Sequence, residues 1–193
     1  DKLSAASVGY LGEKIVVGFD RLWFNGDRVD IDLQVTSRQE DWDGDGNVDE
    51  YRQEGSAAGD RIFGLSSENE AVRDRLDGND GDDVLIGGFG GDVMSGGLGD
   101  DVLIGGINGT SGNDWLDRDR ADYYQLKTSQ LDIRPVTVAY DAVNYSLIRD
   151  GGSVITDATA ADLKKGYTLT SAFEVRDITG TYGTDILIGV ERI

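Results

Sequence analysis

Gly78-Asn79-Asp80-Gly81-Asp82-Asp83-Val84-Leu85-Ile86 runs without a break into Gly87-Gly88-Phe89-Gly90-Gly91-Asp92-Val93-Met94-Ser95. That block runs directly into Gly96-Gly97-Leu98-Gly99-Asp100-Asp101-Val102-Leu103-Ile104. The three blocks share a period of nine residues, with Gly at the first and fourth places, Asp at the sixth and a large apolar residue at the eighth. After an insertion, Gly105 to Asn108, the frame resumes in Gly109-Thr110-Ser111-Gly112-Asn113-Asp114-Trp115-Leu116-Asp117. A degenerate copy precedes the run, with Asp74 and Leu76 at the sixth and eighth places. A fixed period of this kind marks a stack of identical turns. Glycines admit the positive φ of sharp turns and aim carbonyls inward. A carboxylate at a fixed place then completes an all-oxygen environment of the kind Ca²⁺ takes at ~2.3–2.6 Å. The last three residues of each block read as a short strand. Leu76, Leu85, Met94, Leu103 and Leu116 would stack as a narrow core, too thin to fold alone, so that bound ions become part of the folding free energy. A flexible Gly/Asp linker would need no apolar residue at every ninth place.

Working outward, the chain has 193 residues, 18 basic against 37 acidic, and a formal charge of −19. A charge that large repels nucleic-acid phosphates and opposes compaction unless cations neutralise it. There are 28 Gly and a single Pro, Pro135. Cysteine is absent, which excludes disulfides and thiolate metal sites. Histidine is absent too, which removes His-based zinc sites and His-dependent triads. No apolar run approaches the ~18 residues of a membrane helix. No signal peptide opens the chain, and the first residue is not Met, as expected of an excised piece.

A second metal motif lies upstream. Asp41-Trp42-Asp43-Gly44-Asp45-Gly46-Asn47-Val48-Asp49 opens like an EF-hand loop, with oxygen donors at alternate places (Asp41, Asp43, Asp45, Asn47 and Asp49) and Gly46 at the sharp bend. The twelfth place, where that motif wants a bidentate Glu, is Arg52. Val29, Ile31, Leu33 and Val35 alternate with polar residues before the loop, which is strand periodicity. In the tail, residues 138–156 read as a hairpin turning at Asp150-Gly151-Gly152. Ala121–Gln130 and Ala158–Lys165 read as short helices. Gly180-Thr181-Tyr182-Gly183-Thr184-Asp185-Ile186-Leu187-Ile188 fits the nonapeptide frame once more. Residues 183–193 also align with residues 12–22, and Trp23-Phe24-Asn25-Gly26-Asp27 then supplies an aromatic strand and turn. Two copies of one module would therefore bracket the chain, as in a longer modular protein.

Residues 74–117 resemble the nonapeptide block of repeats-in-toxin proteins, and residues 180–193 resemble a module often found after it. The resemblance implies a flattened right-handed β-roll, with consecutive repeats on alternate sides and ions between the turns of repeats n and n+2. Carried over, Asp83 with Asp101 and Asp92 with Asp114 line opposite edges, and Asp74 joins Asp92. The candidate calcium ligands are thus the carboxylates of Asp74, Asp83, Asp92, Asp101, Asp114 and Asp185. Main-chain oxygens of Gly78, Asp80, Asp82, Gly87, Phe89, Gly96 and Leu98 complete the set, and the Asp41 to Asp49 loop stands beside it.

The expected fold is all-β: a parallel β-roll over 65–118, flanked by a β-rich part over 1–64 and a β-rich capping part over 119–193. The expected function is calcium-dependent folding of a non-catalytic structural or binding module, secreted by the type I route to the extracellular space or cell surface. An adhesin, surface-layer or exoprotein segment fits that description, with several Ca²⁺ ions as cofactors. Extracellular polysaccharide or neighbouring modules are the expected partners, not nucleic acid or a membrane span. The alternative is the C-terminal module of a secreted polysaccharide-acting enzyme, protease or lipase. Trp23, Phe24, Trp42 and Trp115 could stack on sugars, although strand aromatics also serve as core.

Overall fold

The protein is seen as a computed structural model that describes residues 22–24, 27–29, 36–65, 72–110, 112, 116–149, 152–157 and 171–193. Among the described residues the regular elements are strands apart from one 3₁₀ turn, and the fold is all-β as expected. The strands are β1 (Leu22–Phe24), β2 (Asp27–Val29), β3 (Thr36–Glu40), β4 (Glu50–Glu54), β5 (Arg61–Phe63), β6 (Arg73–Asp80), β7 (Val84–Phe89) and β8 (Val93–Leu98). They continue with β9 (Val102–Ile107), β10 (Arg120–Ala121), β11 (Leu131–Pro135), β12 (Val138–Asp141), β13 (Ser146–Arg149), β14 (Ser153–Asp157), β15 (Ala172–Asp177) and β16 (Thr184–Ile188).

From β4 to β11, successive strands go to opposite sheets. One sheet has the order β10-β8-β6-β4-β3 and the other β11-β15-β16-β9-β7-β5. Pairing within the roll is parallel, Leu76 opposite Met94 and Leu85 opposite Leu103, so each strand meets the one two repeats on. This is the parallel β-roll. The strand pairing runs across both expected boundaries, at 64/65 and 118/119. β4 and β5 pair with β6 and β7, β10 with β8, and β16 with β9.

The eighth-place residues do what their period requires. Leu76, Leu85, Met94, Leu103 and Leu187 are buried between the two sheets with Ile62, Ala121, Val175 and Val190. Each such side chain contributes about 1.5–3 kcal/mol of apolar burial. Leu116 does not join them. The strand that follows β8 in its sheet is β10, which sets Ala121 opposite Met94.

Places seven and nine differ between alternate repeats, and the layers explain why. On the six-stranded sheet they are Val84, Ile86, Val102, Ile104, Ile186 and Ile188. Ile86, Val102, Ile104, Ile186 and Ile188 form a second core with Val138, Leu147 and Ala172. Val138 and Leu147 come from the antiparallel meander β12-β13-β14, the hairpin expected over 138–156 with one more strand. On the five-stranded sheet the same places are Arg75, Asp77, Val93 and Ser95, mostly polar, and among the described residues no second apolar core forms over that face. There Arg38, Arg52 and Arg75 stand opposite one another, and Arg120 follows across Val93. Their partners are Glu54, Asp77 and Asp122: Arg52 to Asp77 at 3.1 Å and Arg120 to Asp122 at 2.6 Å.

Ala121–Gln130 is not a helix. Ala121 is held in β10 by its partner Met94, and only Thr128–Gln130 coil, as a 3₁₀ turn. Ala158–Lys165, residues 12–21 and residues 30–35 lie outside the described residues. β1 and β2 form an antiparallel pair, Leu22 opposite Val29, and the expected turn residues Asn25 and Gly26 lie outside the described residues.

Candidate metal centre

The sixth-place aspartates stack in two rows, one along each edge of the roll where the chain turns between sheets. On the first edge the Asp60 amide donates to Asp83 Oδ1 at 2.6 Å, the Asp83 amide to Asp101 Oδ1 at 2.9 Å, and the Asp101 amide to Asp185 Oδ1 at 3.1 Å. On the second edge the Asp74 amide donates to Asp92 Oδ1 and the Asp92 amide to Asp119 Oδ1, both at 2.8 Å. The expected pairs of Asp83 with Asp101 and Asp74 with Asp92 are therefore brought together. Asp119, not Asp114, is the neighbour of Asp92, and Asp114 lies outside the described residues. The excursion after Ile107 is longer than the insertion read from sequence, so the frame resumes five residues later than Gly109 suggests.

All these carboxylates are buried, with Asp74, Asp92 and Asp119 at 0% exposure and Asp83 and Asp101 at 1%. One oxygen of Asp83, Asp92, Asp101 and Asp119 accepts the amide just described, and Asp74 Oδ1 accepts the Leu65 amide at 2.8 Å. The other oxygen, Oδ2, of Asp83, Asp92, Asp101 and Asp119 is buried with no hydrogen-bond donor. Buried polar atoms are normally paired, and an orphaned carboxylate oxygen is expensive. The first-place glycines show what surrounds these atoms. A Cβ on Gly78 would fall within 3.0 Å of both Asp83 Oδ2 and the Gly96 carbonyl oxygen, and one on Gly87 within 3.0 Å of both Asp92 Oδ2 and the Gly105 oxygen. Two acceptors thus face the same small space with no proton between them. That arrangement repels unless a cation sits with it, and an all-oxygen donor set suits a hard divalent ion.

Electrostatics agrees. Burial pushes the Asp101 carboxyl up to about 6 and Asp83 and Asp185 to about 7, with neighbouring aspartates adding to the effect. Burial likewise takes Asp119 to about 8, and raises Asp92, where the Asp119 and Asp74 charges also contribute. A bound cation would reverse this by favouring the ionised form.

Other expected ligands behave differently. Asp185 ends the first row, and its Oδ2 accepts the Tyr123 hydroxyl at 2.6 Å. The carboxylate of Asp82, whose main-chain oxygen is the expected ligand, joins the stack as well: its Oδ1 accepts the Asp100 amide at 2.9 Å, and Asp100 Oδ1 accepts the Thr184 amide at 2.8 Å. The Leu98 carbonyl accepts the Gly81 amide at 2.7 Å. Asp80 lies opposite Leu98, and Phe89 opposite Ile107. Asp60 and Asp119 were missed in sequence. Gly55-Ser56-Ala57-Ala58-Gly59-Asp60-Arg61-Ile62 follows the repeat frame with Ala58 at the fourth place. Arg118-Asp119-Arg120-Ala121-Asp122 echoes Arg73-Asp74-Arg75-Leu76-Asp77.

The 41–49 loop joins β3 to β4 and is built by its own carboxylates. Asp41 accepts the amides of Gly44 and Gly46 at 2.8 and 3.0 Å, and Asp49 accepts that of Trp42 at 2.7 Å. Gly44 and Gly46 take φ of 76° and 88°, which lets the chain bend there. Oxygens of Asp41, Asp43 and Asp49 gather within 4.8 Å of one another. Asp45 does not join them. It accepts the Asn47 amide and side chain, both at 2.7 Å, and the amide bond above all holds its carboxyl below the usual range. Arg52 points away, paired with Glu54 at 3.0 Å and with Asp77.

The family described as the RTX calcium-binding nonapeptide repeat, in four copies, matches residues 72–106. Residues 72–106 are RTX repeats. Calcium is therefore the ion that the orphaned RTX carboxylates fit, and the chain carries a calcium-binding structural unit of a kind typical of secreted proteins. No curated protein and no solved structure matches the chain. Among the described residues no helix is long and apolar enough to cross a membrane.

Proposed function

We propose that this chain is a non-catalytic, calcium-gated folding module of an exported protein. It stays loose where calcium is scarce and sets into the roll outside the cell, as expected of a type I-secreted adhesin, surface-layer or exoprotein segment. The observation that carries the reading is the set of buried carboxylate oxygens without donors at Asp83, Asp92 and Asp101. Metal-free, they oppose the fold; with calcium, they hold it, and binding free energy becomes folding free energy. Asp83 and Asp101 would share ions on one edge, and Asp74 and Asp92 on the other. Exhaustive chelation followed by far-UV circular dichroism tests this. The β signal should fall in EGTA and return with Ca²⁺ but poorly with Mg²⁺, which demands tight octahedral geometry. An unchanged spectrum refutes it.

One observation favours an extracellular polysaccharide as partner. A groove of about 540 Å³ on the outer face of the five-stranded sheet is lined by Arg75, Asp77, Asn79, Tyr124, Gln125 and Tyr182, among others. Paired donors and acceptors beside the exposed Tyr124 and the half-buried Tyr182 suit sugar hydroxyls and ring faces. Glycan capture with and without Ca²⁺ checks the idea, and no retention on any glycan in either condition counts against it.

A further inference from the structure

Asp119 lies outside the matched repeats, yet it repeats their metal-facing geometry in full. It is completely buried, its Oδ1 accepts the amide of Asp92 at 2.8 Å, and its Oδ2 has no donor. A Cβ on Gly105 would fall within 3.0 Å of both Asp119 Oδ2 and the Gly189 carbonyl oxygen. That is the relation of Asp92 to Gly87 and Gly105, one layer further on. The difference lies in where the atoms come from. In the layers of Asp83 and Asp92 the glycine and the aspartate are five residues apart, and the carbonyl belongs to the repeat two places on. In this layer the aspartate follows a long excursion, and the carbonyl belongs to the segment after β16. Glu191, two residues past Gly189, accepts the Asp119 amide at 2.9 Å and the Asn108 side-chain amide at 3.0 Å.

The opposite edge ends otherwise. There Asp185 Oδ2 takes the Tyr123 hydroxyl, a side-chain donor in the place of an ion. Among the described residues no comparable donor reaches Asp119 Oδ2.

We propose that Asp119, with Asp92 and the Gly105 and Gly189 carbonyls, forms a calcium site beyond the repeats that fastens the C-terminal segment to the roll. The proposal rests on the calcium reading above. It makes order in residues 184–193 depend on an ion held by a residue that no nonapeptide frame predicts. An Asn at 119 keeps the acceptor for the Asp92 amide but puts a donor where Oδ2 stands.

The test counts ions and locates their effect. Native mass spectrometry should show one fewer Ca²⁺ in Asp119→Asn than in the wild-type chain. Hydrogen exchange in saturating Ca²⁺ should show faster exchange across Ile186–Arg192, on the order of tenfold, with β6 and β7 unchanged. Equal stoichiometry and equal protection overturn the proposal. If the variant does not fold, wild-type crystals grown with Ca²⁺ decide. Anomalous density beside Asp119 Oδ2 supports the site, and its absence while ions sit at Asp83 and Asp101 overturns it. A wild-type chain that binds no calcium at all fails the proposed function instead, and this site with it.

Discussion

Replacing Asp101 by Asn should stabilise the metal-free protein and destabilise the calcium-bound one. The variant keeps an oxygen for the Asp83 amide, 2.9 Å away, and removes the carboxylate charge. In the metal-free fold that charge is a liability. Burial lifts the carboxyl from an ordinary 3.8 to about 6, so holding it ionised at pH 8 costs about 2–3 kcal/mol relative to the unfolded chain. Asn escapes that cost and offers a donor in place of the orphaned Oδ2. With calcium the balance inverts, because the carboxylate is a ligand. An ion present at a hundred times its dissociation constant adds about 2.7 kcal/mol to the folded state, and the variant forfeits much of this. Urea unfolding followed by far-UV circular dichroism at pH 8, in EGTA and in excess Ca²⁺, reads both signs. Where the metal-free chain lacks a fold at zero urea, its β signal serves as the readout. A variant that moves in the same direction under both conditions refutes the idea that Oδ2 faces a cation.

Acidification should act in the same sense as Asp101→Asn. Asp101, Asp83, Asp185 and Asp119 have folded values raised to between about 6 and about 8. Groups raised above their unfolded value stabilise fully below about pH 4 and lose that contribution as pH rises through 6 to 8. The metal-free chain should therefore gain β signal between pH 8 and pH 5, while calorimetry shows calcium affinity falling over that window. Asp177, held at about 2 chiefly by the Thr179 hydroxyl, works oppositely and is lost only as pH falls from about 4 toward 2. Gly96→Ala should remove one ion, because the new Cβ falls within 3.0 Å of Asp101 Oδ2; unchanged calcium stoichiometry counts against the cradle. Asp41→Asn combined with Asp43→Asn should remove one ion while most of the roll's titration survives. Loss of all binding at once would show a single cooperative unit, and Arg73 offers the route for one: it pairs with Glu50 at 2.7 Å and sits 4.4 Å over the Trp42 ring.

The parts of the fold that repeat were legible, because a period of nine leaves its mark on every turn. The eighth-place leucines and sixth-place aspartates could be placed by counting, whereas their arrangement in two rows came from the resemblance to the repeats-in-toxin block. What escaped counting was the layer after the insertion. Gly109 invites the frame to restart there, whereas the chain makes its next pairing at Arg120–Ala121. The short echo of Arg73–Asp77 in Arg118–Asp122 was the available signal, and it carries no first-place glycine of its own. Pairing of β16 with β9 across the whole tail was beyond local pattern too. It brings the Asp101 amide to Asp185, a separation of 84 residues. The false helix at Ala121–Gln130 has the same origin, since a partner strand overrides local propensity.

Why ions should do this work, and not the chain's own cations, follows from the glycines. On the open face of the five-stranded sheet, long side chains lie flat and pair. Arg52, Arg75 and Arg120 each reach a carboxylate there. At the turns no such reach exists. The point beside Asp83 Oδ2 where a Cβ of Gly78 would sit is already within 3.0 Å of a carbonyl oxygen, and Gly87 and Gly105 repeat the arrangement. A site without room for a methyl group has none for an ammonium on a four-carbon stem. At neutral pH and above, a bare ion arriving from solvent can neutralise those oxygens where a side chain cannot. The row ending at Asp185 is the exception that fits the rule. Asp185 is the last aspartate of its row, and there the side chain of Tyr123 does reach Oδ2. The proposed dependence on calcium would thus follow from layer spacing. Stacked turns leave room for an atom and not for a side chain.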